Sequence, residues 1–218
     1  MVYQLPFFKS GNWLMKNVVG NWQFSPVYTY ESPELATVQS ARDSNLNGDT
    51  AGDRGILNSG GIRGAGGDVQ ALMNSAGNTV AYIALTGPAG SAPCTSAAQC
   101  PQFIRTGAGS LSNLGRNTLP TDRTNNLDLA VYKDLSFTER FKFRLGAQFA
   151  NIVNTPQYLP GTNPGFGLGV NDVVSFSTCC TSSVYRNFAT PSRDNFNKPS
   201  ASFSSNARTI GIVAKFLF

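Results

Sequence analysis

Apolar and polar residues alternate with a period of two in five stretches of this chain. The clearest is 141–151, F-K-F-R-L-G-A-Q-F-A-N. Phe141, Phe143, Leu145, Ala147 and Phe149 share one parity, and Lys142, Arg144, Gly146, Gln148 and Ala150 the other. Successive side chains of a strand point to opposite faces, so this reads as a strand with one apolar face. A helix would mix the lysine and arginine among the phenylalanines. Residues 126–137, N-L-D-L-A-V-Y-K-D-L-S-F, alternate in the same way, with Lys133 interrupting the apolar parity. The polar T-E-R at 138–140 makes the two a hairpin. Residues 18–30 place Trp22, Phe24, Tyr28 and Tyr30 on one parity. Pro26 lies among them and predicts a bulge, a bend or an unpaired position. The closing segment sets Ile210, Ile212, Ala214, Phe216 and Phe218 against Gly211, Val213, Lys215 and Leu217. A fifth strand is expected near 2–8, followed by a short turn containing Trp13.

The connections between these strands are short, very long, short, very long. Residues 31–125 and 154–207 are rich in Gly, Asn, Ser and Asp and read as two long loops. Within the first, T-V-A-Y-I-A-L at 79–85 is a short strand or helix, and the glycines at 60–67 read as flexible loop, with no phosphate-binding lysine. Loops this long are out of place in a compact soluble domain. They are ordinary on a membrane barrel with short turns on one side and long loops on the other. A soluble β-sandwich also has one apolar face per strand, so alternation alone leaves both open. Loop length and aromatics near strand ends favour the barrel.

Composition sharpens this picture. Only 13% of the 218 residues are charged, and 22 are glycine and 15 phenylalanine. No stretch is apolar for about 18 residues, the length a membrane helix needs, whereas a membrane strand needs only about 9–11. Net charge is +5 without a basic cluster, so nucleic acid is not an expected partner. The chain has no histidine, which removes His-based triads and His-ligated zinc and points away from an enzyme. Of the four cysteines, Cys94 and Cys100 enclose a short polar segment that a disulfide would close. Cys179 and Cys180 are neighbours, and adjacent cysteines bond only in a strained geometry. The start, M-V-Y-Q-L-P-F-F-K-S, lacks the pattern of a secretory signal.

A family resemblance enters at 115–156. Gly115-Arg116-Asn117, then Asn126, Asp128 and Lys133, a turn with Glu139-Arg140, then Phe149, Asn151, Asn154 and Pro156 follow one family's order of motifs. Ala150 stands where that family usually has a second Phe. The segment resembles the C-terminal end of TonB-dependent outer-membrane receptors, particularly the Oar-like group with a carboxypeptidase-regulatory-like N-terminal domain. G-N-W-Q-F-S at 20–25 resembles the family's G-G-W-Q strand opening.

The resemblance implies an all-β fold: about five antiparallel transmembrane strands, near 2–8, 18–30, 126–137, 141–153 and 208–218, forming the C-terminal part of a large outer-membrane barrel. The loops 31–125 and 154–207 would be extracellular, and the turns and C-terminus periplasmic. Phe216 and Phe218 resemble the signal read by the barrel-assembly machinery. The implied function is import of a bulky solute. The implied partners are outer-membrane lipid, the assembly machinery, the rest of the barrel and its plug, and TonB through that missing part. Five strands cannot close around a plug, so the expectation is a fragment. A secreted or surface β-rich binding module is the alternative, and a hydrolase a distant third.

Candidate chemistry is sparse. Asp43, Asn45, Asn47 and Asp49 alternate around Gly48 with the spacing of calcium ligands, although Arg54 stands where an EF-hand loop needs an acid. A turn in which these side chains bond their own backbone is the competing reading. Asp122 with Asp128, or Asp49 with Asp53, could be paired carboxylates, but read as loop and lumen polarity. Lys142, Arg144, Lys215 and Asp128 would face the lumen. No cofactor is expected.

Overall fold

The computed structural model describes residues 1–7, 12–50, 52–138, 141–158, 183–203 and 205–217. In chain order the strands are β1 (Tyr3–Gln4), β2 (Trp22–Glu31), β3 (Leu35–Ala36), β4 (Ile56–Leu57), β5 (Ile62–Gly67) and β6 (Val69–Met73). They continue with β7 (Thr79–Ala84), β8 (Pro101–Ile104), β9 (Leu119–Pro120), β10 (Thr124–Ser136), β11 (Lys142–Ala150) and β12 (Thr209–Leu217). Two short helices, α1 (Ser183–Ala189) and α2 (Pro199–Ser202), precede the last strand. The fold is all-β in character, as expected. The chain divides into two compact units.

The first unit holds residues 1–32, 124–157 and 205–218. Its five strands form one antiparallel sheet in the order β1-β2-β10-β11-β12. Strands β2, β10, β11 and β12 are 10, 13, 9 and 9 residues long. Those lengths reach or exceed the span of a tilted membrane strand. Among the described residues the expected strand near 2–8 is shorter: Tyr3 and Gln4 pair with β2, and Leu5 N–H adds a bond to the Trp22 carbonyl. The turn after it contains a single helical turn, Met15–Val19, closed by the Gly20 N–H donating to the Met15 carbonyl at 3.0 Å.

Pro26 takes the unpaired position among the three outcomes expected of it, without a bulge or bend. It sits opposite Leu129 in an unbroken ladder. Backbone direction explains this. The Trp22 carbonyl accepts from Leu5 N–H on the β1 side, whereas the Asn21 carbonyl accepts from Asp134 N–H on the β10 side. Direction alternates along a strand, so residue 26 aims at the β1 side. Strand β1 pairs only with Gln23 and Phe24, and the missing proline N–H breaks no ladder bond.

The second unit holds residues 33–123 and 158–204, and it corrects the reading of these stretches as open loops. Its buried core joins Ala36, Val38, Phe103, Leu114 and Leu119 to Phe188, Ala189, Phe196 and Phe203. Phe103 meets Phe196 edge-on at 5.6 Å, and Phe188 meets Phe203 at 5.0 Å. Around it run the β3–β9 pair, a mixed sheet of order β4-β8-β5, and the β6–β7 hairpin. The 79–85 stretch is the strand β7. Of the glycines at 60–67, Gly64, Gly66 and Gly67 belong to β5, and Gly61, Gly66 and Gly67 are tightly packed. A Cβ on Gly66 would lie 2.3 Å from the Phe196 ring and 2.6 Å from the Pro191 carbonyl oxygen. Glycine here permits close approach of backbone to core.

Candidate functional site

Ladder register decides which side chains share a face of the first unit's sheet. On one face the rows run Tyr28–Leu127; then Pro26–Leu129–Phe149–Ile210; then Phe24–Val131–Ala147–Ile212. They end with Trp22–Lys133–Leu145–Ala214 and Leu135–Phe143–Phe216. This is an apolar band with a single charge. Ile212 is 85% exposed and Phe216 78%. The Phe143 and Phe216 rings meet across strands at 4.7 Å, tilted by 37°, and Trp22 and Phe24 stack along β2 at 6.4 Å.

Lys133, the one charge on this face, is turned away from the surface. Its ammonium donates to the Gly20 carbonyl and lies 5.0 Å from the centre of the Trp22 ring. Only 9% of the residue is exposed. Carbonyl and aromatic face together satisfy a cation that an apolar surface would otherwise penalise.

The opposite face is polar. Its rows run Thr29–Asn126; Val27–Asp128; Ser25–Ala130–Gln148–Gly211; Gln23–Tyr132–Gly146–Val213; and Asp134–Arg144–Lys215. Arg144 grips Asp134 through both carboxylate oxygens, Nε at 2.7 Å and Nη2 at 2.8 Å. Its guanidinium lies 5.6 Å from the centre of the Tyr132 ring. Tyr132 and Gln148 are hydrogen-bonded across the strands. The Tyr132 ring also covers Gly146, where a Cβ would come within 2.2 Å of it. Asp128, Lys142, Arg144 and Lys215 therefore share the parity expected of lumen-facing residues. Asp134, Ser136 and Lys142 also line a cleft of about 530 Å³ with Trp13, Lys16 and Asn21.

The motif residues at 126–156 build a corner beyond the end of β11. Asn151 has φ +54° and is 2% exposed. Its amide oxygen accepts from Thr155 N–H at 3.0 Å, and its amide nitrogen donates to the carbonyls of Thr155 (3.0 Å) and Asn206 (3.3 Å). The Asn151 N–H donates to Asp128 Oδ1, which also accepts from the Asn126 amide. Asn154 is left-handed as well, at φ +55°. Asparagine tolerates that conformation and bonds locally. In the second unit Asn117, at φ +55°, exchanges two hydrogen bonds with the Thr37 hydroxyl.

The calcium candidates spend side-chain oxygens on their own loop. Asp43 accepts from the N–H groups of Asn47 (3.1 Å) and Gly48 (2.8 Å), and the Asn47 side chain from Asp49 N–H (2.9 Å). Asn45 accepts a further bond from Asn47 N–H. This geometry is that of the competing Asx turn. Among the described residues no three His, Cys, Asp or Glu side chains converge as a metal site. The paired acids are likewise structural acceptors. Asp53 accepts from Ser44 N–H, and Asp122 from the N–H groups of Arg123 and Tyr158.

Cys94 and Cys100 form a disulfide with Cα atoms 5.4 Å apart. Cys179, Cys180, Glu139, Arg140 and Phe218 lie outside the described residues. Phe216 belongs to the apolar face.

Two anchors went unnoticed in the sequence. Arg105 donates to the carbonyls of Ser40 (2.8 Å) and Ala41 (3.1 Å) and pairs with Asp68 at 3.4 Å. Burial, and then the charge of Arg42, lower its pKa, with Asp68 opposing them. Asn17 donates to the Ser136 carbonyl at 3.1 Å and accepts from Ser136 N–H at 2.9 Å. A polar pair, Lys16 and Asn17, amid an apolar run was the local sign of Asn17.

A family model described as outer membrane beta barrel domain matches residues 1–206. The chain belongs to that family and to the outer membrane. The family also separates the two architectures that alternation left open, favouring a barrel over a soluble sandwich. No curated protein and no solved structure matches the chain.

Proposed function

We propose that this chain is the C-terminal wall of a TonB-dependent outer-membrane receptor of the Oar-like group, importing a bulky solute. The observation that carries the reading is the two-faced sheet ending in β12, joined to the 115–156 motif series. The apolar face meets lipid and the Asp134–Arg144–Lys215 face lines the lumen. The stretches of the second unit are extracellular, and the short turns lie on the periplasmic side. Strands β1 and β12, the outer members of the sheet, pair with the rest of the barrel, since lipid tolerates no unpaired backbone. A plug and a TonB-contacting segment belong to the whole receptor. The role is binding and transport, without catalysis.

The test is fractionation of cells producing the native gene, probed with an antibody to residues 31–125, after crosslinking to TonB. The expected band is in the outer membrane, far larger than 23.3 kDa, and shifts on crosslinking. An outer-membrane band of 23.3 kDa that never crosslinks to TonB sinks the receptor reading.

A further inference from the structure

The turn between β1 and β2 carries an apolar surface that the sheet does not need. In W-L-M-K-N-V-V-G, residues 13–20, Leu14, Met15, Val18 and Val19 are 63%, 41%, 58% and 45% exposed. A solvated turn of an outer-membrane protein has no reason to display four large apolar residues together. The segment is also held firmly. Asn17 is buried and exchanges its two hydrogen bonds with the Ser136 backbone. Lys133 caps the Gly20 carbonyl, and the Trp22 indole donates to the Val18 carbonyl at 3.3 Å.

These anchors also set direction. Trp22 and Lys133 occupy one row of the sheet's apolar face. The Val18–Gly20 backbone is bonded to both, so the turn is tied to the apolar side of the sheet. Trp13 and Lys16 instead line the cleft shared with Asp134 and Lys142 of the polar face. Around a single helical turn, Leu14, Met15, Val18 and Val19 lie opposite Trp13, Lys16 and Asn17. The turn is amphipathic, and its apolar side continues the wall.

We infer that the Leu14–Met15–Val18–Val19 surface is a lipid-seated anchor, embedded in the membrane interface at the turn end of the sheet. The occupant is lipid because the surface is continuous with the face that meets the bilayer, and this rests on the barrel-wall reading above. Short amphipathic segments with this division of residues settle at the boundary of headgroups and acyl chains. The anchor would fix the depth of β2 and β10 in the membrane.

Spin labels test this in outer-membrane vesicles from cells producing the protein. The variants V18C, I212C and T138C are each made in a chain with C179S and C180S. Oxygen, which partitions into lipid, is compared with a water-soluble nickel complex as relaxing agent. The expected ratio at position 18 is severalfold above that at 138 and below that at 212, as an interfacial depth requires. A position-18 ratio matching 138, with 212 still in lipid, overturns the anchor and leaves the wall. A label at 18 shielded from both reagents places protein over the turn and also overturns it. If 212 itself reads as water-exposed, the wall reading fails, and the anchor with it. L14C gives an independent second reading should the label at 18 disturb the turn.

Discussion

Asn151 offers a test of how the family motif acts. Its side chain closes the corner after β11 with one accepted and two donated hydrogen bonds, from a left-handed backbone at φ +54°. Asn151→Ala removes all three bonds and puts a Cβ without polar compensation into that conformation. The left-handed backbone costs about 1 kcal/mol for an ordinary side chain. Thr155 N–H and C=O are half-buried and lose their partners, at about 1–2 kcal/mol together, while the exposed Asn206 carbonyl can turn to water. The expected destabilisation is therefore about 2–3 kcal/mol. Asn151→Gly loses the same bonds but not the conformational fit, and should recover roughly 1 kcal/mol of it. Equilibrium urea unfolding in detergent micelles, followed by tryptophan fluorescence, measures both. A glycine variant no more stable than the alanine one refutes the conformational part. Two variants indistinguishable from the parent would mean that the asparagine does not hold the corner at all.

Four further outcomes are expected. Gly146→Val drives a side chain into the Tyr132 ring and should cost about 1–3 kcal/mol in the same assay, whereas the change in a Tyr132→Ala background should cost much less; equal costs would remove the ring from the explanation. A double-mutant cycle on Asp134 and Arg144, whose side chains are 27% and 29% exposed, should give a coupling of no more than about 1 kcal/mol despite the bidentate geometry. A coupling of several kcal/mol would show the pair to be far drier than its exposure implies. Iodoacetamide should label Cys94 and Cys100 only after reduction, as read by peptide mass, and labelling without reductant would contradict the bridge. Asp43→Ala should make the Asn47–Gly48 backbone exchange its amide hydrogens faster, with or without added calcium. Protection that appears only with calcium would restore the metal reading.

The strand pattern was legible because side-chain parity is a local property. Phe141 to Phe149 alternate with Lys142 to Gln148 whatever the strand pairs with, and the observed β11, Lys142–Ala150, follows that stretch. Strand β12 was equally plain. At Pro26 the sequence left a bulge, a bend and an unpaired position all open, because the choice depends on which neighbour its backbone faces, and sequence periodicity carries no such direction. The Asp43–Asp49 loop was ambiguous for a related reason. Asx turns and calcium loops use the same residue types at similar spacing, and only the hydrogen-bond partners distinguish them. Asn17 and Arg105 were missed because each acts through backbone groups distant in sequence, which leave no trace in residue identity.

By itself the sequence determined that the spanning elements are strands, which residues share a face, and that one face is apolar and the other polar. These follow from a two-residue period and need no knowledge of neighbours. Tertiary structure alone decided that β2 pairs with β10 across some ninety intervening residues, as the ladder from Glu31–Thr124 to Trp22–Lys133 shows. It also decided that the two stretches read as loops join into a unit with its own core. Phe103 finds Phe196, and Phe188 finds Phe203, from segments too poor in apolar residues to announce a core alone. Burial there is a sum over distant parts of the chain, and no window of sequence contains it.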